Sequence, residues 1–124
     1  MTDKEVLEAY ERTGGVLKGH FLLTSGRHSD TYMQSAKLFV HPSEAEKIAA
    51  ALAEKLAPYQ PDMVVTPAVG GIILGYELAR ALKVTDIFAE RENGEMTFRR
   101  GFTLEKGSRV VVAEEVVTTG GSVK

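Results

Sequence analysis

The sequence predicts an α/β fold in which a central parallel sheet is covered by helices on both faces. Two short runs, at 63–65 and 109–113, are almost continuously apolar, which is typical of strands buried on both faces. Two longer segments, at 42–56 and 70–82, place apolar residues at helical spacing. Because such strands alternate with helices along the chain, the pattern favours a parallel sheet.

The amino-terminal segment predicts a short helix followed by extended, turn-rich chain. Thr2 and Glu5 have the spacing of a capping box, and an apolar stripe then runs to Tyr10 before Gly14 and Gly15 end the helix. We expect a strand at 21–23, a polar turn after it, and a second extended piece at 31–34.

The later segments each carry a clear boundary signal. Pro42 begins the second helix and Pro58 ends its apolar periodicity. Asn93-Gly94 predicts a two-residue hairpin turn between strands at 87–92 and 95–102, because both central residues of a type I′ turn need positive φ. The strand at 109–113 follows.

The composition is that of one globular domain spanning 1–124, with 44% apolar and 26% charged residues. Cysteine is absent, so disulfides and thiolate metal ligands are excluded. A net charge of −2 argues against general nucleic-acid binding, which depends on many basic residues. We also expect no membrane span and no secretory signal, and therefore a cytoplasmic protein.

The segment after the last predicted strand has the chemistry of a ribose 5-phosphate site. Glu114 and Glu115 are followed by Val116 and Val117 and then by the polar run 118–122. A glycine-rich loop lets backbone N–H groups converge on a phosphate, and its Thr and Ser hydroxyls add donors. Carboxylates would repel that phosphate, so they suit a vicinal diol. A solvated acidic turn would explain the two acids but not the ordered Thr and Gly run, and neither a Walker motif nor G-x-G-x-x-G is present.

This apolar strand, acid pair and Val-x-Thr-x-Gly run resembles the phosphoribosyl pyrophosphate (PRPP) motif of type I phosphoribosyltransferases. The segment GHFLLTSGRHSDTYMQSAKLF resembles the amino-terminal hood of the orotate enzymes in that family. The resemblance implies the type I fold, with a β-hairpin catalytic loop. It implies that orotate and PRPP are converted to orotidine 5'-phosphate and pyrophosphate in pyrimidine biosynthesis. It further implies Mg²⁺ held mainly by the substrate, without direct protein ligands, and a homodimer that exchanges loops.

The resemblance also implies the roles of individual residues. The catalytic set is Glu114, Glu115, Arg91, Arg99 and Arg100. Both acids also contact PRPP, together with two loops that contain Ala68, Val69, Gly70, Gly71, Val116, Val117, Thr118, Thr119, Gly120, Gly121 and Ser122. The base contacts are implied at Thr24, Arg27, Tyr32, Met33 and Thr118.

Three positions depart from the family pattern, and several alternatives stay open. The family usually has Asp at Glu115, and many members have Lys at Gly70 and at Thr24. Backbone amides would then provide most of the diphosphate contact. Each of these roles has a purely structural alternative. The glycines at 70–71 would only allow the turn from strand to helix, and Tyr32 would be an ordinary core residue. The arginines would be solvated side chains on an exposed hairpin. Another base, purine or uracil, and a non-catalytic PRPP-binding regulator are the alternative functions.

The predicted phosphate loop lies close to the last residue, Lys124. A helix after Ser122 would complete the loop, and the sheet would continue with further strands. We therefore expect that the carboxy-terminal part of the domain is missing after the PRPP loop. A chain of this length, expressed alone, is expected to be poorly soluble or inactive because a sheet edge is bare.

Overall fold

The computed structural model describes residues 1–22 and 28–115, which form two compact units, Met1–Ile48 and the chain from Ala49 onward. Side chains are described throughout these ranges except at His20, Phe21, Leu22, His28, Ser29, Asp30 and Tyr32. The predicted α/β class, with a central sheet flanked by helices, is confirmed.

The first unit begins with helix α1 (Asp3–Arg12), and the predicted capping box is present at its start. The Thr2 side chain accepts a hydrogen bond from the Glu5 backbone N–H, and the Glu5 carboxylate accepts one from the Thr2 N–H at 3.2 Å. Each bond satisfies a donor that the first helical turn leaves unpaired. The helix ends before Gly14, which has φ +78°, as expected.

Strands β1 (Val16–Leu22) and β2 (His28–Met33) form an antiparallel pair, and two helices follow, α2 (Ser35–Phe39) and α3 (Pro42–Leu56). The prediction of a strand only at 21–23 was wrong at its start. The pairing has an irregularity between Lys18 and Phe21, which obscures the alternation of apolar residues. Helix α2 was not predicted because five residues are too short to show helical periodicity.

Polar contacts join α1 to the helices that follow. The Tyr10 hydroxyl and the Ser35 Oγ are buried and 2.7 Å apart. Arg12 Nη2 donates to Glu44 Oε1 at 2.7 Å, and this bond lowers the pKa of the Glu44 carboxyl. These two contacts connect α1 to the start of α2 and to the start of α3.

The second unit is built on a four-stranded sheet in the order β5-β4-β3-β6. Its strands are β3 (Met63–Pro67), β4 (Thr85–Glu92), β5 (Glu95–Phe98) and β6 (Val110–Val112), and a 3₁₀ turn (Ala57–Tyr59) precedes them. Strand β3 pairs parallel with both β4 and β6, whereas β5 is antiparallel to β4. The parallel sheet is thus confirmed for three strands, and the fourth belongs to the predicted hairpin.

The hairpin turn has the predicted geometry, because Asn93 and Gly94 have φ of +53° and +82°. The prediction that its second strand reaches residue 102 was wrong. Arg100 and Gly101 have φ of +60° and +76°, and the Phe102 N–H donates to the Arg99 carbonyl at 3.0 Å. Positive φ cannot continue a strand, so β5 ends at Phe98.

Helix α4 (Ile72–Leu82) crosses from β3 to β4 and packs on the sheet face that carries Val64 and Thr66. Ala49 and Ala53 of α3 share a buried cluster with Val64, Leu78 and Ala79. Strand β3 therefore has β4 on one side and β6 on the other, with the connection to β4 made by α4. In sheets of this type, ligands bind at the carboxyl ends of strands where the strand order reverses.

Candidate active site

The loop 68–71, which follows β3, is shaped by backbone that approaches other backbone closely. An ideal Cβ on Gly71 would lie 2.9 Å from the Pro67 carbonyl oxygen and 3.1 Å from Thr66 Cβ. A side chain at 71 would therefore displace the end of β3. The loop leads directly into α4, whose N-terminal N–H groups and dipole favour an anion. The Ala68–Val69 peptide bond is cis.

Glu114 and Glu115 lie at the end of β6, beside the same loop. The Ala113 N–H donates to the Val65 carbonyl at 3.0 Å, which extends the pairing of β6 with β3 up to the acids. An ideal Cβ on Gly70 would collide with Oε1 of Glu115 and lie 2.8 Å from its Cδ. The Glu115 carboxylate therefore fills the space that a side chain at position 70 would need.

The two acids differ in their surroundings. Burial raises the pKa of the Glu114 carboxyl, the neighbouring charge of Glu115 raises it further, and Arg91 lowers it. Glu115 Oε2 is buried and has no hydrogen-bond partner among residues 1–22 and 28–115. The charge of Arg91, near the end of β4, therefore acts on Glu114.

The three predicted arginines have different partners on the hairpin. Arg91 Nη1 donates to the Gly94 carbonyl at 3.1 Å. Arg99 lies 3.9 Å from the Glu92 carboxylate, and both side chains are about half exposed. Arg100 donates to Glu90 from Nε at 2.9 Å and from Nη2 at 3.2 Å.

The structure brings several of the predicted site residues of the second unit together. Two others belong to the first unit, and the rest lie outside the described ranges. The loop residues Ala68, Val69, Gly70 and Gly71 lie at the same edge of the sheet as Glu114 and Glu115. Met33 is half-buried in β2, opposite Val16, and Tyr32 lies opposite Leu17. The remaining predicted residues lie outside the described ranges: Thr24, Arg27, Val116, Val117, Thr118, Thr119, Gly120, Gly121 and Ser122.

Sequence reasoning missed Glu90, the acid that binds Arg100. The sequence placed Glu90 in a hairpin strand but did not indicate its partner. Arg100 is ten residues further along the chain, and it meets Glu90 because the chain turns at 99–102. The Arg100 hydrogen bond lowers the pKa of the Glu90 carboxyl, so the acid is ionised opposite the guanidinium.

Within the described residues there is no cluster of three or more His, Asp or Glu side chains that would hold a metal. Glu115 Oε2, which has no hydrogen-bond partner in the part of the chain that the structure describes, nevertheless fits Mg²⁺, which prefers oxygen ligands and is often held by one carboxylate together with substrate phosphates. No helix in the described ranges is long and apolar enough to cross a bilayer.

The parallel sheet, the glycine loop after β3 and the acid pair after β6 define a phosphoribosyltransferase domain, and the chain belongs to this family. The phosphoribosyl transferase domain profile matches residues 35–124. Over its whole length the chain is 55% identical to the orotate phosphoribosyltransferase of Caldanaerobacter subterraneus subsp. tengcongensis, of which it spans 65%.

Solved structures share the fold. The orotate phosphoribosyltransferase of Aeropyrum pernix matches with a TM-score of 0.68 at 26% identity, over 94% of this chain and 66% of that one. The UMP synthase of Leishmania donovani matches with a TM-score of 0.83 at 23% identity, over 99% of this chain and 27% of that one. The predicted family and fold class are therefore confirmed.

Proposed function

We propose that the protein is an orotate phosphoribosyltransferase, which joins orotate to the ribose 5-phosphate of PRPP in pyrimidine biosynthesis. The observation that carries the proposal is that Glu115 lies against Gly70 of loop 68–71, with Glu114 next to it in the chain, at the carboxyl ends of two adjacent parallel strands. The loop can bind the diphosphate of PRPP through its backbone N–H groups, while the acids can accept hydrogen bonds from the ribose diol. The 55% identity to an orotate enzyme supports orotate as the base.

The reaction forms a bond between a ring nitrogen of orotate and C1 of the ribose, while the C1–O bond to pyrophosphate breaks and its electron pair leaves with the diphosphate. The proton of that ring nitrogen is lost to solvent or to the departing pyrophosphate. The transition state has oxocarbenium character. In this proposal, loop 68–71 and the start of α4 hold the diphosphate through backbone N–H groups. Glu114 accepts hydrogen bonds from the ribose hydroxyls, and the predicted run 118–122 holds the 5-phosphate.

Charge on the departing pyrophosphate is the main electrostatic problem of this reaction. Guanidinium groups bind phosphate oxygens in bidentate fashion, and Arg99 is the hairpin arginine whose carboxylate contact is long. Mg²⁺, when bound with the substrate, would neutralise diphosphate charge, and the Glu115 carboxylate could contribute one of its oxygen ligands. Positioning and charge stabilisation are thus the contributions expected of the protein.

The proposal includes a cytoplasmic homodimer in which each hairpin reaches the neighbouring subunit's site. The exposure of Arg99 and of Phe98 on the hairpin supports a segment that reaches outward. Cross-linking from a cysteine placed at Glu95, in the hairpin, tests this. Cross-linked dimers are expected, whereas a monomer at micromolar concentration would contradict the loop exchange.

The first experiment is calorimetric titration of the chain with PRPP and Mg²⁺, which needs no turnover. Orotate loss, beside that of hypoxanthine and uracil, is assayed in a full-length relative that carries Glu115. Glu114→Gln should weaken PRPP binding about tenfold or more, because it removes a charge-assisted acceptor of the diol. Glu105→Gln is the matched control, since Glu105 is exposed and outside the proposed site.

The outcomes separate the alternatives. Turnover of hypoxanthine or uracil instead of orotate would assign a different base. Tight PRPP binding without turnover of any base in a full-length relative that carries Glu115 would favour the PRPP-binding regulator, for which this departure from Asp is the supporting observation. Unchanged PRPP affinity in Glu114→Gln would contradict the proposed site.

A further inference from the structure

The Glu115 side chain projects away from β6 into the loop that follows β3. Its carboxylate lies against the Gly70 backbone, where a Cβ at position 70 would meet Oε1, Cδ and Oε2 in turn, the last at 3.1 Å. The diol contact predicted for Glu115 stays a prediction. The acid lies against the loop in which the proposed function places the diphosphate.

The loop has no positive side chain to balance this acid, because residues 68–71 are Ala, Val, Gly and Gly. Its attraction for anions comes from backbone N–H groups and the start of α4 alone. Glu115 Oε2 is buried and lacks a hydrogen-bond partner among the described residues, so nothing in those ranges neutralises it. A buried carboxylate oxygen without a partner is costly and is relieved by a cation or a donor.

A diphosphate bound at loop 68–71 would therefore lie beside a second anion, the Glu115 carboxylate. Metal-free diphosphate would bring its oxygens against the Glu115 carboxylate, and like charges a few ångströms apart repel strongly where water is partly excluded. Diphosphate that carries a divalent cation would have less negative charge overall and a local positive site at the cation, which the Glu115 carboxylate oxygen could contact.

We infer that Glu115 acts as a charge gate at loop 68–71: its carboxylate excludes metal-free diphosphate and admits diphosphate that carries a divalent cation. The inference rests on the proposed function, because it concerns the same diphosphate site. Glu115 is then a positioning residue that couples metal and diphosphate binding, and coupling of this kind is measured as a ratio of affinities.

The test is calorimetric titration of the chain with inorganic pyrophosphate, with Mg²⁺ and with a chelator, so that no turnover is needed. The ratio of the two dissociation constants measures the coupling. In Glu115→Gln, which keeps the shape and removes the charge, we expect this ratio to fall about tenfold or more, mainly through tighter metal-free binding. Glu115→Asp withdraws the charge from Gly70 by one methylene and should give an intermediate ratio.

Glu105→Gln, which removes an exposed acid elsewhere, should leave the ratio unchanged, and thermal melts would establish that all variants are folded. Titration with ribose 5-phosphate, which lacks the diphosphate, should give similar affinities for the wild type and Glu115→Gln. An unchanged ratio in Glu115→Gln, or a loss confined to ribose 5-phosphate, would overturn the gate in favour of the diol contact. Failure of the unaltered chain to bind either ligand would instead refute the proposed function and the gate with it.

Discussion

Arg100 binds Glu90 through two hydrogen bonds, of 2.9 and 3.2 Å, while its guanidinium carbon lies 5.7 Å from the centre of the Phe88 ring. Phe88 in turn packs edge-to-face against Phe102, with ring centres 5.3 Å apart. The neighbouring Arg99 has only a 3.9 Å contact with Glu92. Two adjacent arginines therefore differ in their partners: Arg100 is held at the base of the hairpin by Glu90 and Phe88, and Arg99 is the one that we propose contacts the diphosphate.

Arg100→Ala is expected to loosen the hairpin, because it removes both bonds to Glu90 and the contact with Phe88. Hydrogen exchange at the amides of 89–98 should become several-fold faster than in the unaltered chain. Arg99→Ala is the matched control and should leave exchange unchanged while weakening pyrophosphate binding. Equal acceleration in the two variants would contradict this division of roles.

Gly75 lies inside α4 because the helix approaches Thr66 of β3 too closely for any side chain. An ideal Cβ at 75 would collide with Thr66 Cγ2 and lie 3.1 Å from Asp86 Oδ1. Gly75→Ala gains about 1 kcal/mol of helix propensity, but the overlap costs about 1–3 kcal/mol, so we expect a net loss of stability.

Thr66→Ser removes the methyl group that collides and supplies the matched test. The free energy of unfolding of the double variant, Gly75→Ala with Thr66→Ser, should exceed by about 0.5–2 kcal/mol the value obtained by adding the effects of the two single changes. Urea denaturation of all four proteins measures this coupling. Simple additivity would mean that the helix shifts to make room.

Asp86 gives the protein a pH-dependent stability. Burial raises the pKa of its carboxyl to about 6, and Oδ1 has no hydrogen-bond partner among the described residues. Because the folded state holds this proton more tightly than the unfolded one, stability should fall as pH rises from about 4 to 6 and then level off in this respect. Asp86 lines a cavity of about 260 Å³ together with Tyr76 and Arg80, and Arg80 is paired with Glu77.

Asp86→Asn should therefore raise the free energy of unfolding at pH 7.5 and have little effect at pH 4. The gain is expected to be on the order of 1 kcal/mol, since solvent screens a carboxyl that is only partly buried. Urea denaturation at both pH values measures it, with Glu105→Gln as the control for removing an acid. An Asn variant less stable than the wild type at pH 7.5 would show that the carboxylate has a partner.

Local signals predicted most elements of the fold. The capping box at Thr2 and the hairpin turn at Asn93 and Gly94 depend on neighbouring residues, and both were found as predicted. The short helix α2, the start of β1 and the end of β5 were missed. These three depend on a few residues whose conformation is decided by irregular pairing or by turns, where periodicity carries little information.

The sequence by itself determined the family, through an apolar strand, two acids and a Thr and Gly run whose order along the chain carries the chemistry. It also predicted the parallel sheet, because short apolar strands that alternate with helices along the chain favour that arrangement. Only the tertiary structure decided that Glu115 lies against Gly70 and that Arg100, rather than Arg99, is held by Glu90. These pairs join separate loops and turns, and which side chains meet there depends on strand order and turn geometry rather than on spacing along the chain.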